Sequence, residues 1–212
     1  LYSDMYRDLS DIGMADIADR VLMTNANEKV PLGGDGTKVL KTKSDHNVKL
    51  RKMVRAGKLA PEYDVIFTTY DQMNRTGSPR RLFIEAMAER NGMLILDESH
   101  KAGGSGTKAT EQKLPRALWF RQIIDSAHST FYSSATYAKR PDVMDLYRKT
   151  DMRLAVDDID HIAEAIHQGG VPLQQAVAAM LVMAGQYVRR ERSFEGVSYG
   201  IQTVKVDHAK TE

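Results

Sequence analysis

Two adjacent carboxylates, Asp97 and Glu98, directly follow the apolar run Met93–Leu96. Because Gly92 precedes this run and polar residues follow it, the pattern predicts a short strand that is buried on both faces and ends in a loop. Charges at the end of a buried strand are costly unless they are paired, and at the carboxyl end of a parallel sheet the usual partner is hydrated Mg²⁺ on nucleotide phosphates. In this interpretation Asp97 binds the metal through water, and Glu98 orients and deprotonates the water that attacks the γ-phosphate. The alternative is that both carboxylates only cap the next turn.

A histidine and a later Ser-Ala-Thr segment favour the first interpretation. The motif Asp97-Glu98-Ser99-His100 resembles the DEAD/DEAH-type box of superfamily-two helicases and translocases. In those families the histidine couples the nucleotide site to a later Ser-Ala-Thr segment, and here Ser134-Ala135-Thr136 follows a second strand-like run. The resemblance implies that His100 exchanges hydrogen bonds with Ser134 and Thr136, which relay the nucleotide state to a second lobe. Strand-end capping is the alternative role for Ser134 and Thr136.

A closer resemblance extends over most of the chain. Five segments occur in the order seen in strawberry-notch-like helicases, namely residues 6–13, 66–70, 97–102, 132–136 and 187–197. The resemblance is most specific in the middle of the chain and weak for residues 24–60. It implies an ATP-dependent nucleic-acid helicase or translocase, with ATP as substrate and Mg²⁺ as cofactor.

The order of predicted elements agrees with that resemblance. A strand beginning at Val65, a helix that Ser78 caps and Pro79 begins, and the strand at Met93 follow one another, which is the unit that builds a parallel sheet. We expect these two strands and the one at Thr130 to be neighbours in an α/β fold, a mainly parallel RecA-like sheet of the P-loop NTPase class with helices on both faces. Residues 1–150 are expected to form a partial RecA-like lobe. Residues 151–212 are expected to form a helical C-terminal extension and an exit strand toward a second lobe.

The phosphate-binding loop of such a motor is not found in the sequence. No G-x-x-x-x-G-K-[ST] pattern occurs, and the nearest candidate, Gly57-Lys58, is followed by Leu59, which offers no hydroxyl for magnesium. We therefore expect the loop to lie upstream in a longer parent protein that also carries the second lobe, and we expect this chain alone to have little or no ATPase activity. The alternative function is a non-enzymatic RecA-like scaffold or nucleic-acid-binding module.

Two segments are candidates for contact with nucleic acid, with DNA the expected partner and RNA left open. Residues 38–58 contain eight Lys or Arg and one acid, which predicts either a solvated face or a surface for phosphates. The basic residues expected to bind are Lys49, Arg51, Lys52 and Arg55. By resemblance, the segment Thr68, Thr69 and Tyr70 faces the nucleic-acid backbone, where hydroxyls can bond phosphate oxygens. The alternative is that β-branched threonines simply suit a strand.

The composition excludes several other classes of protein. Hydrophobic residues make up 42% and charged residues 27% of the chain, which is ordinary for a globular protein. The absence of cysteine excludes a disulfide scaffold and cysteine-ligated zinc, and it fits a reducing compartment. The longest apolar run, residues 176–185, is about half of what a membrane span needs, so no membrane partner is expected. We expect a cytoplasmic location in a bacterium or phage-infected cell, or a nuclear one if the source is eukaryotic.

Overall fold

A computed structural model of the 212-residue chain describes residues 2–24, 29–32, 38–41, 45–103, 115–134, 141–156, 158 and 161–188. Within this part of the chain the helices are α1 (Tyr2–Asp11), α2 (Ala15–Ala18), α3 (His46–Ala56), α4 (Pro79–Glu89), α5 (Arg116–Ser126) and α6 (Ile162–Met183). The strands are β1 (Val21–Met23), β2 (Lys29–Leu32), β3 (Lys38–Lys41), β4 (Val65–Phe67), β5 (Met93–Leu96) and β6 (Ser129–Tyr132). Four 3₁₀ helices span Tyr70–Met73, Ser99–Lys101, Pro141–Tyr147 and Asp151–Ala155.

Strands β1 and β4 form a parallel pair with helices on both faces. Val21 lies opposite Val65 and Met23 opposite Phe67, and these side chains pack against Tyr2 of α1. The alternate residues of the two strands point the other way and pack against α3 and α4; the buried members of that cluster are Leu22, Leu50, Met53 and Phe83. The prediction of helices on both faces is confirmed for this pair, because successive strand side chains alternate between the two layers.

Strands β5 and β6 form a second parallel pair that is covered on one face. Leu96 is buried against a core supplied mainly by α5, whose members include Trp119, Phe120, Ile123 and Ile124. On the opposite face Met93 is 60% exposed, Ile95 is 66% exposed and Phe131, which lies across from Ile95, is 56% exposed. The prediction that β5 is buried on both faces is therefore wrong for the described structure, since none of its elements covers this second face.

The predicted order of strands is right for one neighbour and wrong for the other. The strands at Met93 and Thr130 are parallel neighbours, but the strand at Val65 pairs with β1 and makes no ladder with β5 among the described strands. Arg20, at the start of β1, donates to Asp64 and to the Pro61 carbonyl, which ties β4 to β1. Pairing is a non-local property that the order of elements along the chain does not determine. The third pair, β2 and β3, is antiparallel.

The predicted fold class is confirmed: the structure is a mixed α/β fold, and two of its three described strand pairs are parallel. At the start of α4, Ser78 accepts a hydrogen bond from the Arg81 amide and Pro79 is the first helical residue, as the sequence predicts. Arg81 itself is 1% exposed, donates to the Met73 carbonyl over 2.7 Å and lies 5.0 Å from the Trp119 ring centroid. Burial lowers the pKa of Arg81, and these contacts hold the N-terminal end of α4 against α5.

The C-terminal part is helical, as predicted. Its longest helix, α6, is broken at Gly170, where φ is 59° and ψ −152°. A backbone of that kind suits glycine, because it has no Cβ to clash. The buried face of α6 packs on the 3₁₀ helices in a core of Met144, Tyr147, Met152, Ile162, Ile166, Val177 and Leu181. The predicted exit strand lies outside the described residues. No helix in the described ranges combines the length and apolar character that a membrane crossing requires.

Candidate nucleotide and nucleic-acid site

The turn that carries Asp97 and Glu98 is held at the carboxyl end of β5 by the continuation of β6. The Ser133 amide donates to the Leu96 carbonyl over 3.0 Å, and the Ser99 amide donates to the Ser133 carbonyl over 2.8 Å. Between these two bonds the chain turns sharply, and Glu98 adopts the left-handed conformation with φ 49° and ψ 49°. That conformation is uncommon for a residue other than glycine and costs free energy, so the surrounding contacts must impose it.

Three of the predicted site residues come together beside this turn. The His100 Nδ1 atom lies 3.0 Å from the Ser134 hydroxyl oxygen and 3.3 Å from the Glu98 Oε2 atom. Glu98 Oε2 is itself buried and makes no hydrogen bond within the described part of the chain. The predicted contact between His100 and Ser134 is therefore present. Thr136, the other predicted partner of His100, lies outside the described residues.

The residue between Glu98 and His100 connects the turn to the C-terminal helical part. Ser99 is fully buried, and its hydroxyl oxygen lies 3.0 Å from the Tyr147 hydroxyl. Tyr132 of β6 donates its hydroxyl proton to the Leu146 carbonyl over 2.9 Å. Burial raises the pKa of Tyr147, so its hydroxyl keeps its proton near neutral pH. The sequence contains no signal for the contact of Tyr147 with Ser99.

Tyr70, which was predicted to face nucleic acid, uses its hydroxyl inside the fold. The Tyr70 hydroxyl donates to the Asp97 carbonyl over 2.7 Å, and its ring packs against Phe120 at a centroid distance of 5.3 Å. Burial raises the pKa of Tyr70, so this donor also stays protonated. The loop after β4 is thereby connected directly to the carboxylate turn after β5. Thr69 is partly buried and directly precedes the 3₁₀ helix that contains Tyr70.

Thr68, the remaining residue of that predicted segment, belongs to a polar group that we call the edge cluster: Thr24, Thr68, Gln72 and Arg80. The hydroxyl oxygen of Thr24 lies 2.9 Å from that of Thr68 and 2.6 Å from the Gln72 Oε1 atom. Arg80 donates through Nη2 to the Thr24 carbonyl over 3.0 Å. Thr24 is 1% exposed, while Thr68, Gln72 and Arg80 are partly exposed. The cluster lies at the carboxyl ends of β1 and β4, where α/β folds place ligands.

The four basic residues predicted to bind nucleic acid are all exposed on α3; they are Lys49, Arg51, Lys52 and Arg55. Leu50 and Met53 form the buried side of this helix. Lys49 pairs with Asp45 over 3.2 Å, one turn earlier. The His46 Nε2 atom lies 2.9 Å from the Met23 carbonyl, which places the start of α3 at the end of β1, next to the edge cluster. Exposure on one helix is compatible with both the phosphate-binding and the solvated-face interpretation.

The donor set at the carboxylate turn fits a magnesium site of the kind that retains most of its waters. No group of three or more His, Asp or Glu side chains capable of holding a metal occurs in the described ranges. Mg²⁺ in nucleotide sites is usually bound by only one or two carboxylates together with phosphate oxygens and water. Asp97 and Glu98 supply such carboxylates, and the buried Glu98 Oε2 atom, which makes no hydrogen bond in the described structure, is an acceptor for a bound water.

The family model described as P-loop containing NTP hydrolase pore-1 matches residues 1–212. The chain therefore belongs to this family of P-loop NTP hydrolases.

Its relatives are the strawberry notch proteins, which confirms the resemblance seen in the sequence. Protein strawberry notch of Drosophila melanogaster is 28% identical over 226 residues, covering 95% of this chain and 12% of the fly protein. Protein strawberry notch homolog of Caenorhabditis elegans is 29% identical over 128 residues, covering 55% of this chain and 6% of the worm protein. Human Protein strawberry notch homolog 1 is 25% identical over 216 residues, covering 95% of this chain and 14% of the human protein. The chain thus spans less than a sixth of the length of these relatives. No solved structure matches it.

Proposed function

We propose that this chain is part of the first RecA-like lobe of an ATP-hydrolysing helicase or translocase that acts on nucleic acid, with DNA the favoured partner. The observation that carries the proposal is the 3.0 Å contact between His100 Nδ1 and the Ser134 hydroxyl, next to Asp97 and Glu98 at the end of β5. A scaffold has no need of two carboxylates on a costly turn together with a histidine that bridges to the neighbouring strand. Membership in a P-loop NTP hydrolase family supports the same conclusion.

The two carboxylates divide the work of hydrolysis in this proposal. Asp97 would hold Mg²⁺ through water, and the ion would supply positive charge beside the phosphates of ATP. Glu98 orients the attacking water and accepts its proton as the water oxygen bonds to the γ-phosphorus and the bond to the leaving ADP oxygen breaks. Glu98, whose backbone is left-handed (φ 49°), places its Oε2 atom 3.3 Å from His100 Nδ1. The phosphate loop, in this proposal, is supplied by a part of the parent protein outside the 212 residues.

Coupling to nucleic acid runs, in this proposal, through the contacts on either side of the turn. His100 links the turn to Ser134 of the neighbouring strand, whose continuation leads to Thr136 and the second lobe. Tyr70 links the Asp97 carbonyl to the loop that follows Thr68 and Thr69, the proposed backbone contacts. In this proposal a shift of nucleic acid at that loop reaches the carboxylate turn through this hydrogen bond.

The test is to measure ATP hydrolysis by the parent protein with and without nucleic acid, in two variants of this site. Asp97→Asn removes charge at the metal, so its half-maximal Mg²⁺ concentration should rise. His100→Ala should reduce stimulation by nucleic acid more than it reduces the basal rate. A parent protein that binds nucleic acid but hydrolyses no ATP would refute the proposal in favour of the non-enzymatic scaffold.

A further inference from the structure

We propose that Tyr147 is a positioning residue for ATP hydrolysis, because through Ser99 it holds the turn that carries Glu98. This inference rests on the proposed function for the reaction that Glu98 performs. It adds a residue that lies outside the five segments of the family resemblance. Tyr147 contacts neither the nucleotide nor the metal in this proposal, and it acts on Glu98 through the neighbouring residue.

The backbone at Glu98 has to be held in place from both sides. Its left-handed conformation, with φ 49° and ψ 49°, costs free energy, so a turn that loses its contacts relaxes toward an ordinary conformation. On one side the Tyr70 hydroxyl donates to the Asp97 carbonyl over 2.7 Å. On the other side the Ser99 amide donates to the Ser133 carbonyl over 2.8 Å. The Ser99 side chain provides a further point at which the fold holds the turn.

The Ser99 hydroxyl is buried together with that of Tyr147. Ser99 is 0% exposed, Tyr147 is 5% exposed, and their hydroxyl oxygens lie 3.0 Å apart. Water does not reach a hydroxyl at this depth, so removing the Tyr147 hydroxyl takes a hydrogen bond from a buried polar group. The turn then regains a partner for Ser99 by moving, and that movement displaces Glu98, the adjacent residue.

Tyr147 is itself held firmly enough to position another residue. Thr150 donates to the Tyr147 carbonyl through its amide, over 3.0 Å, and through its hydroxyl, over 2.7 Å. The Tyr147 ring packs against the Tyr132 ring at a centroid distance of 4.9 Å and lies in the core beneath α6. A side chain that packing and hydrogen bonds lock in this way can fix the group it contacts.

The 3₁₀ helix Pro141–Tyr147 meets the segment after the turn at a second point. A Cβ atom added at Gly103 would lie 2.5 Å from Val143 Cγ1, closer than two carbon atoms can approach without displacement, and Val143 is buried. The segment from Ser99 to Gly103 therefore rests against this helix at both of its ends. The turn is thus seated on the C-terminal helical part as well as on the two strands.

The experiment measures ATP hydrolysis by the parent protein in the presence of nucleic acid, with kcat and KM determined separately for Tyr147→Phe. Glu98 acts on the attacking water in the chemical step, so its displacement should lower kcat and leave the KM for ATP within about twofold. Since a misplacement of about 1 Å can cost about 100-fold in rate, we expect kcat to fall by about 10- to 100-fold.

Tyr132→Phe is the matched control. The Tyr132 hydroxyl donates to the Leu146 carbonyl over 2.9 Å, so this variant removes a hydrogen bond to the same 3₁₀ helix but none to the turn. Both variants should lower the melting temperature by similar amounts, and Tyr132→Phe should keep the parental kcat. Equal losses of kcat in the two variants would overturn the proposal, because docking of the helix, and not the contact with Ser99, would then be the cause.

A second comparison tests the route through Ser99. In the Ser99→Ala background, Tyr147→Phe should have no further effect on kcat, because the hydroxyl that Tyr147 holds is gone. A loss of kcat that is the same in both backgrounds contradicts the proposal. A parent protein that hydrolyses no ATP refutes the proposed function and this inference with it, whereas an active parent protein with an unchanged kcat in Tyr147→Phe refutes this inference alone.

Discussion

Replacing Tyr70 by Phe removes one hydrogen bond and leaves the packing intact. The hydroxyl donates to the Asp97 carbonyl over 2.7 Å, while the ring contact with Phe120 at 5.3 Å survives the substitution. A hydrogen bond between neutral groups contributes about 1 kcal/mol net to folding. For a chain of this size that loss corresponds to a fall in melting temperature of about 2–4 °C. No cavity forms, so a larger loss is not expected.

The local effect should exceed the global one. Because the lost bond holds the carboxylate turn, the amide of Ser99, which bonds the Ser133 carbonyl, should exchange with solvent faster by more than the global destabilisation explains. Denaturant unfolding measures the global loss of stability, and hydrogen exchange measures the local loss at Ser99.

The matched control is Tyr63→Phe. The Tyr63 hydroxyl makes no hydrogen bond with the described residues, and its ring is also partly buried. Tyr63→Phe should therefore leave both the unfolding free energy and the Ser99 exchange rate within error. If Tyr70→Phe behaves like this control, Tyr70 does not hold the turn, and its proposed coupling role is refuted.

Three further predictions concern other contacts. Ser99→Ala and Tyr147→Phe should be non-additive in unfolding free energy by about 1 kcal/mol in a double-mutant cycle, because they remove the same hydrogen bond; additivity would contradict the contact. Replacing the four exposed basic residues of α3 with Gln should flatten the salt dependence of oligonucleotide binding; they are Lys49, Arg51, Lys52 and Arg55. Unchanged binding would show that these residues only form a solvated face. Calorimetry of the 212-residue chain should show no Mg-ATP binding with a dissociation constant below about 1 mM, a binding free energy of about 4 kcal/mol, since the phosphate loop supplies most phosphate contacts. Micromolar binding would show that the phosphate site is built differently.

The parts of the structure that the sequence predicted are those with a local cause. The apolar run Met93–Leu96 forms β5, and Ser78 caps α4 with Pro79 in its first turn, because each signal lies within a few residues of its effect. The contact of His100 with Ser134 was predicted through the family resemblance, and its coupling role remains a proposal.

The parts that were missed depend on residues far apart in the chain. The partner of β4 is β1, and Arg20 binds Asp64 just before the two strands begin, but no pattern near either residue signals that pairing. The exposure of Ile95 depends on which layers cover the sheet, and hydrophobicity alone cannot reveal their number. The Tyr70 hydroxyl and the Arg80 guanidinium find their acceptors only when β1, β4 and β5 are assembled.

The most direct test of the account is the rate of ATP hydrolysis by the parent protein carrying Glu98→Gln. The amide still fits the turn but cannot accept the proton of the attacking water. ATP binding should be retained, and turnover should fall by about 100- to 10,000-fold, equivalent to about 3–5 kcal/mol of barrier. Hydrolysis by Glu98→Gln at the parental rate would contradict the account, because Glu98 would then not be the base and the turn after β5 would have no catalytic role.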